Sequence, residues 1–278
     1  MNGLYKEDGL RFFAASNTKD GFVSYFEEIF KEDECERLYI LKGGPGCGKS
    51  TFMKRLGKSA ENKGFSCEYF HCSSDPESLD GIIIKEKRIA VIDGTSPHAV
   101  EPKLSGVREI IIDLGQSWDT DKLFSEKDKI KALCDSKKAK YKEAYGFLHS
   151  KNIMDGLIYN LIHPHIDFKK LDGSAERLSK KLSIGKSGQK YTKKIRITEA
   201  LSSLGKIRLF TFEDMAKMCI FLKEPFEGSR LPHLYLSAVC NHVKEHGGNV
   251  HVSFKADKSG EINSLYFPVT KISVTLYD

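Results

Sequence analysis

The sequence predicts an α/β protein with a mainly parallel sheet, and three observations support this fold class. Continuous apolar runs, bounded by glycine, proline or polar clusters, recur in the N-terminal part, as in strands that are buried on both faces. One of these runs leads into a glycine-rich turn and then into a segment with helical spacing. Similar apolar segments return in the C-terminal part, which indicates an internal repeat.

The composition is that of a globular protein, since 40% of the 278 residues are hydrophobic, 29% are charged and the formal net charge is +6. No apolar run reaches the ~18 residues of a membrane span, and Met1 to Leu10 lack the hydrophobic region of a signal peptide. The seven cysteines contain no C-x-x-C pair, which argues against a disulfide framework and a zinc ribbon. We therefore expect a cytoplasmic protein with reduced thiols and no membrane partner.

The first predicted strand covers residues 37–42, where Leu-Tyr-Ile-Leu forms an apolar run. The turn after it matches G-x-x-x-x-G-K-[ST], the P-loop pattern, and a helix is predicted next because apolar residues from Phe52 to Ala60 recur at helical spacing. The residues that this pattern assigns to ligand binding are Gly43, Gly44, Pro45, Gly46, Cys47, Gly48, Lys49, Ser50 and Thr51.

The residue types of this loop predict a nucleoside triphosphate ligand. Glycines let the backbone curl so that several N–H groups face the phosphates. Lys49 supplies a positive charge to the β- and γ-phosphates, and the Ser50 hydroxyl is expected on Mg²⁺. The positive N-terminal end of the following helix adds to the attraction for phosphate. We therefore expect ATP and Mg²⁺ as ligands.

Further strands are predicted over residues 66–71, 88–93 and 109–113. Asp93 ends the second of these strands and takes the Walker B position, where we expect it to hold Mg²⁺ together with Ser50. Asp113 ends the third strand in the same way and ranks second, as a residue that faces the γ-phosphate.

Turnover also needs a group that orients or deprotonates the nucleophile. Asp75 follows the strand of residues 66–71 and is placed either to orient water or a phosphoryl acceptor, or to cap a turn with Ser78. The predicted catalytic residues are thus Lys49, Asp93, Asp75 and Asp113. No glutamate follows Asp93, so we expect slow or partner-dependent hydrolysis.

Residues 118–162 keep helical spacing and predict a helical insertion that ends near Pro164. The basic segment that follows, residues 168–196, is interpreted as a solvated linker, with an acidic partner or nucleic acid as the alternative role. Within it, residues 183–188 predict a hinge.

The repeat predicts a second lobe. Residues 40–42 match 221–223, residues 78–84 match 261–267, residues 88–91 match 271–274 and, more weakly, residues 14–16 match 200–202. In place of a glycine-rich loop, the second copy has Glu224 and Glu227, whose negative charges would repel phosphate. Arg230 aligns with Lys49 in this comparison. The chain is thus divided into a nucleotide-binding lobe (1–117), a helical insertion with a basic linker (118–195) and a degenerate repeat (196–278).

The chain resembles a family of uncharacterised bacterial P-loop ATPases that are built from a duplicated P-loop half. The resemblance rests on residues 40–50, on Phe-His-Cys-Ser-Ser-Asp-Pro at residues 70–76 and on residues 91–98, and it covers roughly residues 10–118. It implies ATP binding and a three-layer P-loop NTPase fold, here with a mainly parallel sheet, a helical insertion and a second, degenerate lobe. It implies no substrate.

The leading hypothesis is a Mg²⁺-dependent ATPase. The first alternative is a small-molecule or nucleoside kinase, since Arg177 and Lys181 resemble the basic lid of such enzymes. The second is a nucleotide-gated binding module without turnover of its own, in which ATP orders the lobes and residues 168–196 meet a partner.

Overall fold

The computed structural model describes residues 9–182 and 190–277 and shows a mixed α/β protein. The strands are β1 (Leu10–Phe13), β2 (Ala15–Thr18), β3 (Gly21–Ser24), β4 (Arg37–Lys42), β5 (Cys67–His71), β6 (Leu79–Ile84), β7 (Ile89–Asp93), β8 (Glu109–Asp113), β9 (Thr192–Ile195), β10 (Glu199–Ser202), β11 (Gly205–Arg208), β12 (Met218–Lys223), β13 (Asn249–Phe254), β14 (Ile262–Phe267) and β15 (Ile272–Tyr277). The helices are α1 (Phe26–Ile29), α2 (Lys49–Glu61), α3 (Thr120–Ser125), α4 (Lys127–Ile162), α5 (Phe168–Leu182), α6 (Thr211–Met215) and α7 (Leu231–His246).

The first lobe is built on a six-stranded sheet of order β1-β5-β6-β7-β4-β8. β6 pairs antiparallel with both neighbours, and the other pairings are parallel, so the predicted mainly parallel sheet is confirmed. Helix α2 packs over β5, β6 and β7, where Met53 and Ala60 are buried against the sheet. Because β4 and β7 are parallel neighbours, the turn after β4 and the end of β7 lie at one edge of the sheet.

The burial expected for the strand of residues 109–113 is wrong. β8 has the predicted bounds, but Ile111 is 45% exposed and Asp113 is exposed as well. The reason is topological, since β8 pairs with β4 on one side and is the last strand of this sheet among the described residues. β7 meets the expectation, because residues 90–92 are buried.

The second lobe is built on a five-stranded sheet of order β12-β15-β14-β13-β9, with the same sequence of parallel and antiparallel pairings as β4-β7-β6-β5-β1. The register also corresponds, because Gly81 pairs with Ile92 in the first sheet and Ser264 pairs with Thr275 in the second. A bulge in β6 shifts its pairing with β5 after Phe70, and a bulge in β14 shifts its pairing with β13 after Ser253. The two sheets are therefore alike in strand order, pairing direction and register.

The hairpins of the two lobes correct the weakest part of the sequence comparison. β2 and β3 join through Gly21, with φ of 95°, and β10 and β11 join through Gly205, with φ of 90°. When the two hairpins are aligned on these glycines, β2 corresponds to β10 and Ala15 corresponds to Glu199. The match of residues 14–16 with 200–202 is out of register.

The two lobes share one hydrophobic core, a cluster of buried residues that runs from Phe12 and Phe70 to Phe212 and Val274. Each lobe also packs a helix on a strand of the other lobe, since α1 packs on β9 and α6 packs on β1. The backbone N–H of Phe13 donates to the Ile197 carbonyl at 2.8 Å and joins the lobes directly.

Arg196 lies at the centre of this contact and is 2% exposed. Its Nε donates to Glu68 Oε2 at 2.8 Å, and its Nη2 donates to Glu34 Oε2 at 3.1 Å. The guanidinium lies 5.5 Å from the centre of the Phe70 ring. Burial acts to raise the pKa of the Glu68 carboxyl, but the charges of Arg196 and Lys85 outweigh it and hold that pKa below its ordinary value.

The insertion is helical as predicted, and its 36-residue helix α4 ends at Ile162, before Pro164. Two tyrosines attach α4 to the first lobe, because Tyr141 donates to Ser74 at 2.8 Å and Tyr145 donates to Asn17 at 3.0 Å. Lys151 and Asp155 attach it to the second lobe. Among the described residues, no helix is both long and apolar enough to cross a membrane.

The interpretation of residues 168–196 as a solvated linker is wrong for most of its length. Helix α5 packs against α7 and buries Ala175, Ser179 and Leu182, and β9 pairs with β13 as a member of the second sheet. The apolar positions of α5 recur at helical spacing, which gives this basic segment one buried face. The hinge predicted at residues 183–188 lies outside the described residues.

Arg196→Ala is expected to lower the free energy of unfolding by about 3–5 kcal/mol, because it leaves the Glu68 carboxylate buried without its main partner. Urea unfolding measures this change. The matched control is Lys194→Ala, which removes a half-exposed pair with Glu34 and is expected to cost about 1 kcal/mol or less. Since the pKa of Glu68 is lowered, the contribution of the pair is present above the ordinary glutamate pKa and is lost as the pH falls. Equal effects of the two variants at neutral pH would contradict this account.

Candidate functional site

The glycine-rich turn after β4 has the backbone of an anion-binding loop. Gly43, Gly46 and Gly48 have φ values of 147°, 82° and 90°, which side-chain-bearing residues rarely adopt. Gly48 is the N-cap of α2, and no side chain caps this end of the helix. The N–H groups of the first turn are therefore available to an anionic ligand.

The predicted residues Lys49 and Asp93 meet at this loop. The Lys49 side chain is 9% exposed, and its Nζ donates to the carbonyls of Gly43 at 2.6 Å and Gly44 at 3.0 Å. Asp93 Oδ2 lies 3.5 Å from the same nitrogen. Asp93 Oδ1 accepts from the backbone N–H and the hydroxyl of Thr95. A cation and a carboxylate are thus held together beside uncapped helical N–H groups.

Ser50 follows Lys49 in the first turn of α2, and its Oγ accepts from the backbone N–H of Leu79 at 3.0 Å. A hydroxyl oxygen has two lone pairs, so one stays available to a metal ion. Thr51 is exposed on the same turn. The assignment of Mg²⁺ to Ser50 and Asp93 stays a prediction.

The two other predicted carboxylates are engaged in local turns. Asp75 is exposed and accepts from the Ser78 hydroxyl at 2.6 Å, which is the capping alternative of the two that the sequence left open. Asp113 accepts from the Gly115 N–H at 2.7 Å and pairs in register with Lys42, directly before the loop. Asp93 and Asp113 therefore end the two strands that flank β4.

Two further residues of the site have no motif that reveals them. The turn of residues 115–117 brings Trp118, the single tryptophan of the chain, onto the loop, since a Cβ built on Gly44 lies 3.1 Å from its ring. Trp118 is 41% exposed. On the opposite side, Lys42 Nζ donates to the carbonyls of Gly94 and Val100, both at 2.9 Å, and to Glu101 at 2.7 Å. Lys42 thus fixes the segment that follows Asp93.

In the corresponding loop of the second lobe, a side chain of the loop itself accepts hydrogen bonds from the loop. Glu224 Oε1 accepts from the Ser229 hydroxyl at 3.0 Å and from the Arg230 N–H at 3.3 Å, and its Oε2 lies 3.1 Å from Lys255 Nζ. A carboxylate therefore occupies the place that the first loop offers to an anion. Glu227 is exposed and pairs with Lys151 of α4 at 3.0 Å.

The functional side chains of the first loop have no counterparts in the second. Arg230, with φ of 59°, is the N-cap of α7 and so corresponds to Gly48, which corrects its alignment with Lys49. Its guanidinium lies 3.0 Å from Glu261. Leu231 begins α7 where Lys49 begins α2, and Leu276 pairs with Leu222 as Asp93 pairs with Leu41.

Comparison with protein families finds one match, in which residues 23–82 are similar to the N-terminal region of nephrocystin 3. The matched segment begins in β3, contains β4, the glycine-rich turn, α2 and β5, and ends in β6. Comparisons with curated proteins and with solved structures give no match. The similarity therefore covers the glycine-rich turn and α2 but ends before Asp93, and it spans less than half of the chain.

Gly94→Ala is expected to lower the free energy of unfolding by about 1–3 kcal/mol and to displace Asp93, because a Cβ at this position lies 2.2 Å from Ile40 Cγ2 in the core. The control is Gly146→Ala on the exposed side of α4, where a Cβ meets nothing within 4 Å. This change is expected to stabilise the protein by about 0.5–1 kcal/mol, since alanine has the higher helix propensity. Thermal unfolding of both variants measures the two changes in stability, which are expected to have opposite signs. A Gly94→Ala variant as stable as the wild type would show that the packing is looser than described.

Proposed function

We propose that this chain is a P-loop nucleoside triphosphate-binding protein that binds ATP with Mg²⁺ and hydrolyses it slowly. The observation that carries the proposal is the loop itself, in which uncapped N–H groups at the start of α2, buried Lys49 and Asp93 come together at one sheet edge. The similarity of residues 23–82 to the N-terminal region of nephrocystin 3 includes the loop and Lys49 and ends before Asp93. Seven free cysteines accord with the expected cytoplasmic location.

Phosphate binding would exchange the bonds that Lys49 makes. Its ammonium donates to two neutral carbonyl oxygens, and a phosphate oxygen is a stronger, charged acceptor. The N–H groups of the loop and of the first turn of α2 would hold the remaining phosphate oxygens. Mg²⁺, held through Ser50 and Asp93, would neutralise charge that develops between the phosphates.

The second lobe is proposed to be a degenerate copy that keeps the fold and has lost the ligand. Its sheet repeats the strand order, pairing directions and bulge of the first sheet. Its loop is closed by Glu224, and leucines stand where Lys49 and Asp93 stand in the first lobe. The lobe therefore supplies half of the shared core instead of a second site.

A nucleotide-gated module without turnover is the second candidate, and one observation favours it. The predicted catalytic residues Asp75 and Asp113 each bind a group of their own turn, and glycine follows Asp93. In such a module α4 would report the nucleotide, because it contacts Ser74 at the site edge and Asp257 in the second lobe. An acidic or nucleic-acid partner at residues 168–196 stays a prediction, although Arg196 and Lys194 already bind Glu68 and Glu34.

The kinase alternative loses the feature that suggested it. Arg177 and Lys181 belong to α5, and α5 packs on α7 of the second lobe. Their helix is thus part of the packed second lobe, which is not the position of a lid that closes on the loop.

Lys49→Ala is expected to weaken binding of a non-hydrolysable ATP analogue by about 10- to 150-fold, the effect of losing a charged hydrogen bond. Emission from Trp118, which contacts Gly44, is the readout, and calorimetry checks it. The matched control is Lys54→Ala, an exposed lysine on the same helix, which should bind as the wild type does. Binding that is unchanged in Lys49→Ala would refute the nucleotide site.

Asp93→Asn is expected to lower Mg²⁺-dependent ADP release by at least about 100-fold while the analogue still binds, since the carboxylate acts on the metal. Asp135→Asn, an exposed change on α4, is the control and should leave turnover unchanged. If the wild type binds the analogue but releases no ADP from ATP, the gated module replaces the ATPase as the proposed function. ADP release only in the presence of a phosphoryl acceptor would restore the kinase.

A further inference from the structure

Three potential metal ligands meet on the first sheet, apart from the residues assigned to the nucleotide. Cys72 directly follows β5, Asp80 belongs to β6, and His98 lies in the loop after β7. One donor atom from each side chain lies within 4.8 Å of the other two. The side chains of Asp80 and His98 are each 5% exposed. Within residues 9–182 and 190–277 this is the one grouping of this kind.

The backbone delivers these side chains by a specific irregularity. Phe70 pairs with Gly81 and His71 pairs with Leu79, so Asp80 is the extra residue of a β-bulge. Bulges re-aim a side chain and are frequent beside functional sites. The same bulge in the second sheet places Asn263, and the residue that corresponds to Cys72 is Lys255. The ligand set is therefore confined to the first lobe.

Two buried polar atoms of the cluster, Asp80 Oδ2 and His98 Nδ1, have no hydrogen-bond partner among the described residues. His98 Nε2 lies 3.2 Å from Asp80 Oδ2, but the approach is not that of a hydrogen bond, and Oδ2 is buried without a hydrogen-bond partner among the described residues. His98 Nδ1 is buried without one as well. The His98 ring is held by stacking on Phe26 at 4.9 Å and by an edge contact with Phe22 at 4.8 Å. An unpaired buried polar atom costs about 1–3 kcal/mol, and a bound cation would remove that cost for Asp80.

Cys72 completes the set. Burial and the nearby charge of Asp80 raise the pKa of its thiol to about 12, and the backbone N–H groups of Asp75 and Ser74 act in the opposite direction. The thiol is thus protonated at neutral pH, and a metal ion that binds there must displace this proton. Once the proton has left, the two N–H groups stabilise the thiolate.

We propose that Cys72, Asp80 and His98 form a binding site for a divalent transition metal ion, with Zn²⁺ as the best match. Thiolate, imidazole and carboxylate together suit Zn²⁺ and do not suit Mg²⁺ or Ca²⁺. In a tetrahedral zinc site the donor atoms are about 3.3–3.6 Å apart, given bond lengths of roughly 2.0–2.3 Å. The distance of 3.2 Å between His98 Nε2 and Asp80 Oδ2 is close to this range. The largest distance between two donor atoms, at most 4.8 Å, would have to shorten by about 1 Å when the metal binds.

The metal ion would tie together three neighbouring strands at the edge that carries the candidate nucleotide site. It would hold the ends of β5 and β7 against the bulge of β6, whose Leu79 N–H donates to Ser50. The role is structural, and it does not depend on nucleotide binding. The Lys49→Ala variant should therefore bind the metal as the wild type does, which separates failure of this proposal from failure of the nucleotide site.

Cobalt(II) added to the chelator-treated full chain tests the proposal directly. One equivalent per chain is expected to give the visible bands of tetrahedral Co²⁺ and a thiolate-to-metal band in the near ultraviolet, and Zn²⁺ should abolish both. Cys72→Ser should lose the thiolate band, whereas Cys134→Ser, which changes an exposed free cysteine, should keep it. Asp80→Asn and His98→Gln should weaken binding by more than about 100-fold, beyond the 10- to 100-fold effect of outer-shell changes. The control for the histidine is His163→Gln, which changes an exposed histidine directly after α4 and should bind Co²⁺ as the wild type does.

Two measurements on the wild type keep the test valid where a variant does not fold. Zinc binding at neutral pH should release about one proton per chain, the proton of Cys72. X-ray absorption of the zinc-loaded protein should show one sulfur ligand with nitrogen and oxygen ligands. Absence of stoichiometric binding, a zinc site without sulfur, or a thiolate band that survives in folded Cys72→Ser would each overturn the proposal.

Discussion

The buried ion pair between Arg196 and Glu68 is the interaction on which the rest of this structure depends. It joins the end of β9 in one lobe to β5 in the other, inside a core that both lobes share. Both charges are almost fully withdrawn from water, so each is tolerated only while its partner is in place. Because α1 packs on β9 and α6 packs on β1, neither lobe can bury its own edge without the other. The pair therefore fixes the register between two similar halves, and the position of β5 follows from it.

This dependence explains how the second lobe keeps its fold without the residues of a phosphate site. A glycine-rich loop without a ligand leaves N–H groups at the start of a helix unpaired, which is unfavourable when the loop is part of a packed edge. Glu224 removes this problem by accepting from Ser229 and Arg230. The lobe then contributes stability through β13, β14 and α7, whose residues form a large part of the common core.

The local part of the site could be predicted from the sequence, and the part made by distant contacts could not. Lys49 directly follows the glycine-rich turn after β4, and Asp93 ends the neighbouring strand β7. Their residue types and spacing along the chain are therefore enough to define them. The exposure of Ile111 depends on β8 being the last strand, which only the sheet order determines. The contact of Trp118 with Gly44 and the bulge at Asp80 come from tertiary packing and register, and neither leaves a pattern in neighbouring residues. The packing of helix α5 escapes sequence-based prediction for a different reason, because its lysines outnumber the few positions that it buries.

The bonds already present around the loop bear on binding and hydrolysis in different ways. In the proposed function, Lys49 would give up two carbonyl oxygens for charged phosphate acceptors, so its reorganisation would favour the ligand. Asp93 can keep its bonds to Thr95 through one oxygen while the other acts on a metal ion. Asp75 and Asp113, in contrast, would have to release Ser78 and Gly115 before either could act on water. Each such release opposes catalysis without affecting affinity. If the proposed function holds, a site arranged in this way would retain its nucleotide more readily than it turns it over, and a partner that reorganises either turn would raise the rate.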